Sequence, residues 1–413
     1  LDAAVVSQDV SVPQATLVDN LSDLDSVIRA LAMPLPAVDL AAARQLPAAL
    51  RGGDWSLRAH IRDHELIGFS PVGHRTLGLA VDLGTTNVAG FLVDLQSGAR
   101  VASLGIENPQ VAWGADVISR MNHAMQGPAG AGELRQAAST AINALAHDLC
   151  LSVGAVTNDI VDVAICGNTA MHHLLLGLPV RQLGRAPFVA AVRDAIDVKA
   201  RELDLTVCPG AYVHLAPHIG GFVGGDHVTA LLATQDLWRG GTTTLVMDIG
   251  TNTEISLIHR GDITSASCPS GPALEGGHIS CGMRAAEGAI ERVTVEDGRI
   301  KIAVIGNRQP VGLCGSGVID AMAALRQAGI LDDGGRIAGQ HPDIEDVDGK
   351  RAAILAPGVY FNQHDVRAVQ LAKAAIRTGI ELLLRDRHLH EHDIELVVIA
   401  GAFGSYIDVG SAI

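Results

Sequence analysis

Two short segments of the chain combine an aspartate, a glycine and hydroxyl side chains in the same order. Residues 81–87 read Val-Asp-Leu-Gly-Thr-Thr-Asn and residues 247–253 read Met-Asp-Ile-Gly-Thr-Asn-Thr, each after a strand-like apolar run. In a hairpin turn of this composition, backbone N–H groups and hydroxyls are available to phosphate oxygens. A carboxylate at the strand end is a ligand that Mg²⁺ prefers. We therefore interpret both segments as phosphate-binding turns, with Asp82 and Asp248 as the candidate Mg²⁺ ligands.

The repetition is more informative than either copy. One such turn alone is equally well explained as an ordinary Asp-Gly hairpin. Two copies about one domain length apart favour a duplicated fold that holds one nucleotide from both sides. The residues predicted to contact the nucleotide in the two turns are Gly84, Thr85, Thr86, Asn87, Gly250, Thr251, Asn252 and Thr253.

Composition limits the function classes. Of 413 residues, 48% are hydrophobic and only 3% aromatic, as buried parallel strands and their covering helices prefer. The formal net charge of −15 disfavours nonspecific binding to nucleic acid or anionic membranes, which requires clustered Lys and Arg. No apolar run is long enough to span a membrane, and no signal pattern opens the chain. Six scattered cysteines without a CxxC pair predict reduced thiols in a cytoplasmic protein.

Residues 1–75 have a different predicted pattern of strands and helices from the rest of the chain. Residues 1–75 predict a small α+β module, with a strand at Val10–Pro13. Apolar residues spaced as one helical face predict a helix over residues 24–31. Repeated alanines predict a second helix over Ala37–Leu50.

Strands and helices then alternate, and their order is repeated. Three strands are predicted within residues 77–107 and three more within residues 243–267, and helices follow each set. Such a repetition is what a duplicated α/β unit produces. We therefore predict an α/β protein with a module at 1–75 and two lobes at 76–240 and 241–413.

The two turns, in this order, resemble the phosphate loops of the ASKHA superfamily, which includes acetate and sugar kinases, heat-shock ATPases and actin. The resemblance implies two RNase H-like lobes that bind ATP and Mg²⁺ between them. It also implies an adenosine-binding loop late in the second lobe. Residues 397–405 (VVIAGAFGS) fit this loop, although a plain strand-to-helix turn also explains them. The adenosine contacts that the resemblance implies are Gly401, Ala402, Phe403 and Gly404.

Further segments resemble signatures of the reductive activators of corrinoid proteins, and they extend over nearly the whole chain. The resemblance implies an ATPase of low turnover with an attached plant-type [2Fe–2S] ferredoxin domain. In that family, ATP drives electron transfer from the cluster to the cobalt of a methyltransferase corrinoid protein, reducing Co(II) to Co(I). The segments are residues 17–24 (LVDNLSDL), 165–177 (ICGNTAMHHLLLG), 248–254 (DIGTNTE), 271–276 (GPALEG), 312–317 (GLCGSG) and 400–405 (AGAFGS).

Two departures from the family pattern bear on function. The ferredoxin cysteines are absent, so we expect this chain not to bind the [2Fe–2S] cluster by itself. The chain also begins at Leu1 rather than Met and stops at Ile413, where the family continues with further helix. We therefore expect a piece of a longer protein that lacks the C-terminal end of its second lobe.

Besides Asp82, two carboxylates are candidates for catalysis, and a third is a candidate for nucleotide binding. Asp226 precedes a helix after a glycine-rich run, so it either orients the attacking water or the metal, or caps the helix. Glu254 follows the second turn, where it either positions water for in-line attack or lies at a strand edge. Glu275 begins a predicted helix, where it either binds ribose hydroxyls or complements the helix dipole.

Two loops complete the predicted nucleotide site. Asn168 and Thr169 begin a helix after a buried strand and are predicted to support the phosphates. Cys314 lies in the second, glycine-rich loop, where a small buried thiol is favoured over a redox group because no basic neighbour lowers its pKa. This loop predicts either a nucleotide-edge contact or only a tight helix entry, at Gly315, Ser316 and Gly317.

Two adjacent histidines are candidate metal ligands, but the sequence does not favour a metal site there. His172 and His173 are adjacent in a predicted helix and therefore point about 100° apart. Both cannot bind one metal from a regular helix face, so we expect satisfied, partly buried side chains.

Two other functions remain open. One is a small-molecule kinase of the sugar or acetate kinase type, for which the sequence offers no unambiguous catalytic base. The other is a binding or assembly protein that uses the nucleotide as a switch, as actin and chaperones do. For the activator, the expected partner is a corrinoid protein of a methyltransferase system, with neither nucleic acid nor membrane, and a homodimer is compatible with the sequence.

Overall fold

The computed structural model describes residues 3–18, 20–31, 37–296, 298–338, 340–404 and 406–412. The chain folds as two compact units, Leu1–Thr229 and Ala230–Ile413. Within the described ranges, no helix combines the length and the apolar character needed to cross a membrane.

The first unit begins with a small module of four strands and two helices. Its sheet has the order β1-β3-β4-β2 and is covered by α1 and α2, which bury Val27, Leu46 and Leu50 against it. These buried positions recur at helical spacing, so each helix presents one apolar face to the sheet. The elements are β1 (Val5–Ser11), α1 (Asp23–Leu31), β2 (Ala37–Val38), α2 (Leu40–Gly52), β3 (Ser56–Arg62) and β4 (Glu65–Ser70).

A six-stranded sheet forms the rest of the first unit. Its order is β7-β6-β5-β8-β10-β9, and β5 pairs antiparallel with β6 but parallel with β8. Helix α4 packs its buried face, including Leu145 and Leu149, into the core of this unit. The elements are β5 (Leu77–Leu83), β6 (Asn87–Asp94), β7 (Arg100–Glu107), α3 (Val117–Ala124), α4 (Pro128–Ser152), β8 (Ile160–Gly167), α5 (Thr169–Leu176), β9 (Ile196–Lys199), β10 (Tyr212–Leu215) and the first residues of α6 (Gly225–Ala233), in which the boundary between the units falls.

The second unit contains one four-stranded sheet and two three-stranded sheets. Their orders are β13-β12-β11-β20, β15-β14-β16 and β17-β18-β19. Helices α8 and α9 bury Val318, Leu325, Val366 and Leu383 in its core. The elements are α7 (Gln235–Trp238), β11 (Thr244–Ile249), β12 (Thr253–His259), β13 (Asp262–Cys268), β14 (Ala289–Glu296), β15 (Arg299–Val304), β16 (Gly312–Leu313), α8 (Gly315–Gln327), β17 (Ile344–Val347), β18 (Lys350–Ala356), β19 (Val359–Asn362), α9 (Gln363–Asp386), β20 (Leu396–Ala400), α10 (Gly401–Gly404) and α11 (Val409–Ala412).

The predicted duplication is visible in the strand orders. In each unit three antiparallel strands are followed by a fourth that is parallel to the first, giving β7-β6-β5-β8 and β13-β12-β11-β20. Each candidate phosphate turn joins the first two strands of its set, β5 to β6 and β11 to β12. The α/β fold class with a repeated unit is therefore confirmed.

Buried ion pairs join the N-terminal module to the large sheet of the same unit. Asp39 is only 3% exposed and binds both Lys199 Nζ (3.1 Å) and Arg201 Nη1 (2.9 Å). Lys199 also binds Glu65 (2.9 Å) and lies 3.8 Å from the centre of the Tyr212 ring. A carboxylate that is buried to this extent requires oppositely charged partners. The module is therefore fixed to strands β9 and β10.

Two predictions for the module are wrong in detail. The helix predicted over Ala37–Leu50 begins only at Leu40, because the Asp39 carboxylate caps it through the Ala41 N–H (2.8 Å). The two residues before this cap form β2 instead. The strand predicted at Val10–Pro13 instead spans Val5–Ser11 as β1. Strands β3 and β4 were not predicted, although Leu57, Ala59 and Ile61 of β3 alternate with polar residues as in a half-buried strand.

Candidate functional site

The first phosphate turn connects β5 to β6 through Gly84, Thr85 and Thr86. Asp82 is exposed near the end of β5, and the turn residues are half-buried. A Cβ atom on Gly84 would lie 2.6 Å from the Asn87 carbonyl oxygen, so only glycine fits this tight turn. The predicted turn is confirmed in position, with Asn87 as the first residue of β6.

Buried donors hold the carbonyl groups of this turn from behind. Asn108 Nδ2 donates to the Gly84 carbonyl (2.7 Å), and Arg120 Nη2 donates to the Thr85 carbonyl (2.5 Å). In a planar trans peptide, the C=O of one residue and the N–H of the next point in opposite directions. The N–H groups of Thr85 and Thr86 therefore face away from these buried donors, as an anion-binding turn requires.

Asn168 and Thr169 lie beside this turn, at the end of β8, but only Asn168 contacts it. Asn168 caps α5 by accepting from the Met171 N–H (3.0 Å), and its Nδ2 donates to Thr85 Oγ1 (2.8 Å). The Thr169 hydroxyl is fully buried and donates to the Gly220 carbonyl (2.7 Å). The side chain of Thr169 therefore serves the fold of this unit.

Asp82 and Asp226 are far apart in the sequence, but both carboxylates lie close enough to the thiol of Cys166 to affect its pKa. Cys166 lies opposite Asp82 in the register of β5 and β8. Burial, followed by the negative charge of Asp82 and a smaller effect of Asp226, raises the pKa of Cys166 to about 12. Asp226 itself lies in the first turn of α6, and its carboxylate accepts from the His227 N–H (2.8 Å).

The second turn connects β11 to β12 through Gly250, Thr251 and Asn252. The Thr251 hydroxyl donates to Glu275 Oε2 (2.6 Å), and the Gly250 N–H donates to the Asn252 carbonyl (3.0 Å). Thr253, predicted to contact the nucleotide, is fully buried, and its hydroxyl bonds that of Ser270 (2.8 Å). The side chain of Thr253 therefore braces the hairpin.

Asp248 is the best-defined candidate cation ligand. Burial, together with the negative charge of Glu275, raises the pKa of the Asp248 carboxyl. Gly401 has a φ of +80°, and a Cβ atom there would lie 2.6 Å from Asp248 Oδ1. Strands β11 and β20 are parallel neighbours, with Asp248 opposite Ala400. The structure therefore joins the second turn to the adenosine-type loop, and two carboxylates that repel each other fit a bound Mg²⁺.

The prediction that Glu275 begins a helix is wrong. The residue is the last of the short 3₁₀ helix Pro272–Glu275 rather than the first of a helix. Its carboxylate instead accepts from Thr251 and lies close enough to Asp248 to affect the pKa there. Glu254 lies opposite Asp248 in the register of β11 and β12 and accepts from the Ser267 hydroxyl (3.0 Å).

The glycine-rich loop before α8 has a structural explanation. A Cβ atom on Gly317 would lie 2.1 Å from the Ile290 carbonyl oxygen, so glycine lets α8 approach β14 closely. Ser316 is buried, and its hydroxyl lies 3.4 Å from the thiol of Cys314, which is also buried. The buried thiol predicted for Cys314 is confirmed, and only Gly315 keeps a partly exposed position at the helix start.

The adenosine-type loop follows β20 as predicted. A Cβ atom on Gly404 would lie 2.3 Å from the Ile399 carbonyl oxygen, so this glycine closes the short helix α10 against β20. The side chains of Ala402 and Phe403 and the whole of Ser405 lie outside the described residues.

The paired histidines are buried, but only one is satisfied. His173 Nδ1 donates to the Thr169 carbonyl (2.7 Å), and its Nε2 accepts from the Ala191 N–H (2.9 Å). The ring of His172 packs edge-to-face on His218 (centroids 4.2 Å apart), and burial lowers the pKa of His172 to about 3 and that of His218 to about 4. Both ring nitrogens of His173 are hydrogen-bonded. Of His172, His173 and His218, only His172 and His218 therefore offer a free ring nitrogen to a metal ion.

Sequence reasoning missed Asn108, Gln110 and Arg120. All three are fully buried, and Gln110 Oε1 accepts from both Asn108 Nδ2 (3.2 Å) and Arg120 Nη1 (3.3 Å). Their partners are distant in sequence: Asn108 and Arg120 bond carbonyl groups of the turn, and Gln110 Nε2 donates to the Leu134 carbonyl (2.8 Å). The one available signal is Asn108 before a proline at the end of a strand, which indicates a structured turn.

Comparisons with known proteins identify the family to which the chain is similar. Three family models match consecutive parts of the chain: the RACo linker region (residues 1–76), the RACo middle region (77–236) and the C-terminal domain of RACo, described as the ASKHA domain (242–413). Together they account for the N-terminal module and both phosphate turns.

Named relatives and a solved structure match over most of the chain. The corrinoid activation enzyme RamQ of Eubacterium limosum is 36% identical over 92% of this chain and 70% of its own length. The [Co(II) methylated amine-specific corrinoid protein] reductase of Methanosarcina barkeri is 26% identical over 81% of this chain and 64% of its own length. The structure of a reductive activator for a corrinoid, iron-sulfur protein superposes with a TM-score of 0.86 and 32% identity, covering 100% of this chain and 69% of that protein.

Proposed function

Because the chain belongs to the RACo family of reductive activators of corrinoid proteins, we propose that it is the ATPase part of such an activator. It binds ATP with Mg²⁺ and couples the binding and hydrolysis of ATP to the reduction of Co(II) to Co(I) in a methyltransferase corrinoid protein. The observation that carries this proposal is the repeated turn of Asp82 and Asp248 within a chain that matches all three RACo regions in order.

The described residues support specific roles in nucleotide binding. The N–H groups of Thr85 and Thr86 face away from their buried supports and would bind phosphate oxygens. Asp248 would hold Mg²⁺, whose positive charge would offset the repulsion between this carboxylate and Glu275. Bound Mg²⁺ supplies neutralisation of the phosphate charge during hydrolysis. Asp226 and Glu254 are the proposed carboxylates for orienting water.

We propose that the electron source for the reaction lies outside this chain. All six cysteines are free, four of them buried, and the group of candidate metal ligands found among the described residues contains only histidines. These residues do not fit a [2Fe–2S] cluster, which four cysteine thiolates hold in ferredoxins. We therefore assign electron delivery to a separate ferredoxin-type domain. Free thiols also support a cytoplasmic location.

The energy required is within reach of a nucleotide-driven change. Moving one electron uphill by 100 mV costs about 2.3 kcal/mol. Each tenfold difference in affinity corresponds to about 1.4 kcal/mol, so a difference of about fiftyfold between nucleotide states is sufficient. If the corrinoid protein binds the ATP and ADP states of this chain with different affinities, the difference in binding free energy couples nucleotide turnover to the partner.

ATP turnover with and without a cognate corrinoid protein tests the proposal. We expect slow hydrolysis by the chain alone and a several-fold change when the corrinoid protein is added in its Co(II) state. Turnover that the corrinoid protein leaves unchanged would favour a nucleotide-switched assembly protein. Phosphoryl transfer to a sugar or a carboxylic acid would instead identify a small-molecule kinase.

A further inference from the structure

Arg120 is among the largest fully buried side chains of the first unit and supports the phosphate turn. It lies on α3 and is 0% exposed. Its Nε donates to the Gly114 carbonyl (2.9 Å), its Nη1 to Gln110 Oε1 (3.3 Å), and its Nη2 to the Thr85 carbonyl (2.5 Å). Met171 Sδ lies 3.3 Å from Nη1. The guanidinium is therefore held in one orientation, with one edge against the turn.

The charge of Arg120 has no carboxylate partner in the part of the chain that the structure describes. All its hydrogen-bond acceptors are neutral. The acidic group that affects it, Asp116, is occupied at the start of α3, where it accepts from the Ser119 N–H (2.8 Å) and hydroxyl (2.9 Å). Burial lowers the pKa of Arg120 to about 10, so the group stays cationic at neutral pH. A buried cation of this kind is costly unless a negative charge approaches it.

The position of this cation relative to the turn indicates where it would attract a negative charge. Arg120 holds the Thr85 carbonyl from the buried side, and this orients the following N–H, that of Thr86, to the opposite side. An anion bound at the Thr86 N–H would lie on the opposite side of the Thr85–Thr86 peptide group from the guanidinium of Arg120. In an environment of low dielectric constant, the attraction over such a distance is much stronger than in water.

We propose that Arg120 is a positioning residue for the nucleotide polyphosphate. It orients the Thr85–Thr86 peptide, and its buried charge attracts the phosphates without touching them. This inference rests on the proposed function, because it requires that the turn binds a nucleotide. It goes beyond that function by placing the electrostatic recognition of polyphosphate in a buried residue outside both phosphate turns.

Parallel titrations with ATP and adenosine test this role. Arg120→Met removes the charge while keeping most of the volume, and Arg120→Lys keeps the charge but loses the planar fork. We expect Arg120→Met to weaken ATP binding at least about tenfold while adenosine affinity changes less than about threefold, with Arg120→Lys between the wild type and Arg120→Met. Arg62→Met is the matched control, because Arg62 is also a mostly buried arginine of this unit but pairs with Asp162 and Asp197.

The outcomes separate this inference from the proposed function. If the wild type binds ATP and Arg120→Met binds it equally well, or loses adenosine to the same extent, the inference is wrong and the proposed function stands. If the wild type binds no nucleotide, both are wrong. Should Arg120→Met fail to fold, the wild-type Nε–H resonance of Arg120 provides the test. ATP, but not adenosine, should shift this resonance and slow exchange of the Thr86 amide, and an unchanged resonance overturns the inference.

Discussion

Asn168 Nδ2 donates a hydrogen bond to Thr85 Oγ1 at 2.8 Å, linking the end of β8 to the first phosphate turn. The second unit holds its corresponding threonine in a similar manner, since the Thr251 hydroxyl donates to Glu275 Oε2 at 2.6 Å. In both turns a side chain from another segment fixes the first hydroxyl. The chemistry differs, however, because an amide supports one turn and a carboxylate supports the other. The two turns are therefore related by duplication but differ in their electrostatics.

Asn168→Asp should separate helix capping from nucleotide binding. Asp caps helices as well as Asn does, so we expect the free energy of unfolding to change by less than about 0.5 kcal/mol. The new carboxylate beside Thr85 would repel phosphate, and we expect ATP affinity to fall at least about fivefold. Calorimetric titration and thermal unfolding measure the two effects. Asn168→Ser, which retains a cap without adding charge, should lose less affinity, and equal losses in both variants would refute the electrostatic explanation.

Gly401→Ala should destabilise the second unit and displace Asp248. The φ of +80° costs an L-residue about 1 kcal/mol, and the added Cβ would also lie 2.6 Å from Asp248 Oδ1. Gly358→Ala is the matched control, because Gly358 has a φ of +78° and a Cβ atom there would meet nothing within 4 Å. We expect Gly401→Ala to lose more stability in urea unfolding than Gly358→Ala, and to weaken ATP binding. Equal losses and unchanged binding would disprove the close contact with Asp248.

Asp248→Asn should stabilise the protein while impairing its site. Burial and the charge of Glu275 raise the pKa of Asp248, so deprotonation costs more in the folded state than in the unfolded state. Stability of the wild type therefore falls as pH rises from the ordinary pKa through the raised one. We expect Asp248→Asn to be more stable than the wild type at neutral pH, with no difference at low pH. Mg²⁺ should stabilise the wild type only. A variant that is less stable at neutral pH would contradict this assignment.

Asp39→Asn should loosen the N-terminal module. The amide still caps α2 but removes the carboxylate that binds Lys199 and Arg201, and Lys199 keeps only Glu65 as a counter-charge, so we expect a loss of about 2 kcal/mol at neutral pH. Burial alone would raise the pKa of Asp39, but the bonds from Arg201 and Lys199 outweigh it and hold the pKa below 3.8. The stabilisation is therefore present above that value and is lost as pH falls through the lowered pKa. Urea unfolding at several pH values should show the difference between wild type and variant vanish in acid, and a constant difference would refute the ion-pair explanation.

The local sequence pattern was sufficient to predict the two turns and the succession of strands along the chain around them. The hairpins at Asp82 and Asp248 depend on glycine and on alternating apolar residues within a few positions, and such signals are readable from one sequence. The family resemblance extended them to an ASKHA domain, and the RACo matches confirm that resemblance.

The residues that support the turns could not be predicted, because their partners are set by tertiary structure. Nothing near Arg120 or Asn108 in the sequence indicates that they bond carbonyl groups at Thr85 and Gly84. At Gly317 the sequence left a nucleotide contact and a tight helix entry open, and the close packing on Ile290 accounts for the glycine by helix entry. Glycine serves both purposes, and only the three-dimensional neighbours distinguish them.

The most direct test of an ATP-driven activator is the affinity of this chain for a cognate Co(II) corrinoid protein. We would measure it with ATP and Mg²⁺, with ADP and Mg²⁺, and without nucleotide. An ATP-driven activator must bind its partner unequally in different nucleotide states, since only unequal binding transmits free energy. We predict saturable binding whose affinity differs at least about fivefold between ATP and ADP, and the difference should disappear in Asp248→Asn. No binding, or equal affinity in all three conditions, would show that the chain is not an ATP-driven activator of this corrinoid protein.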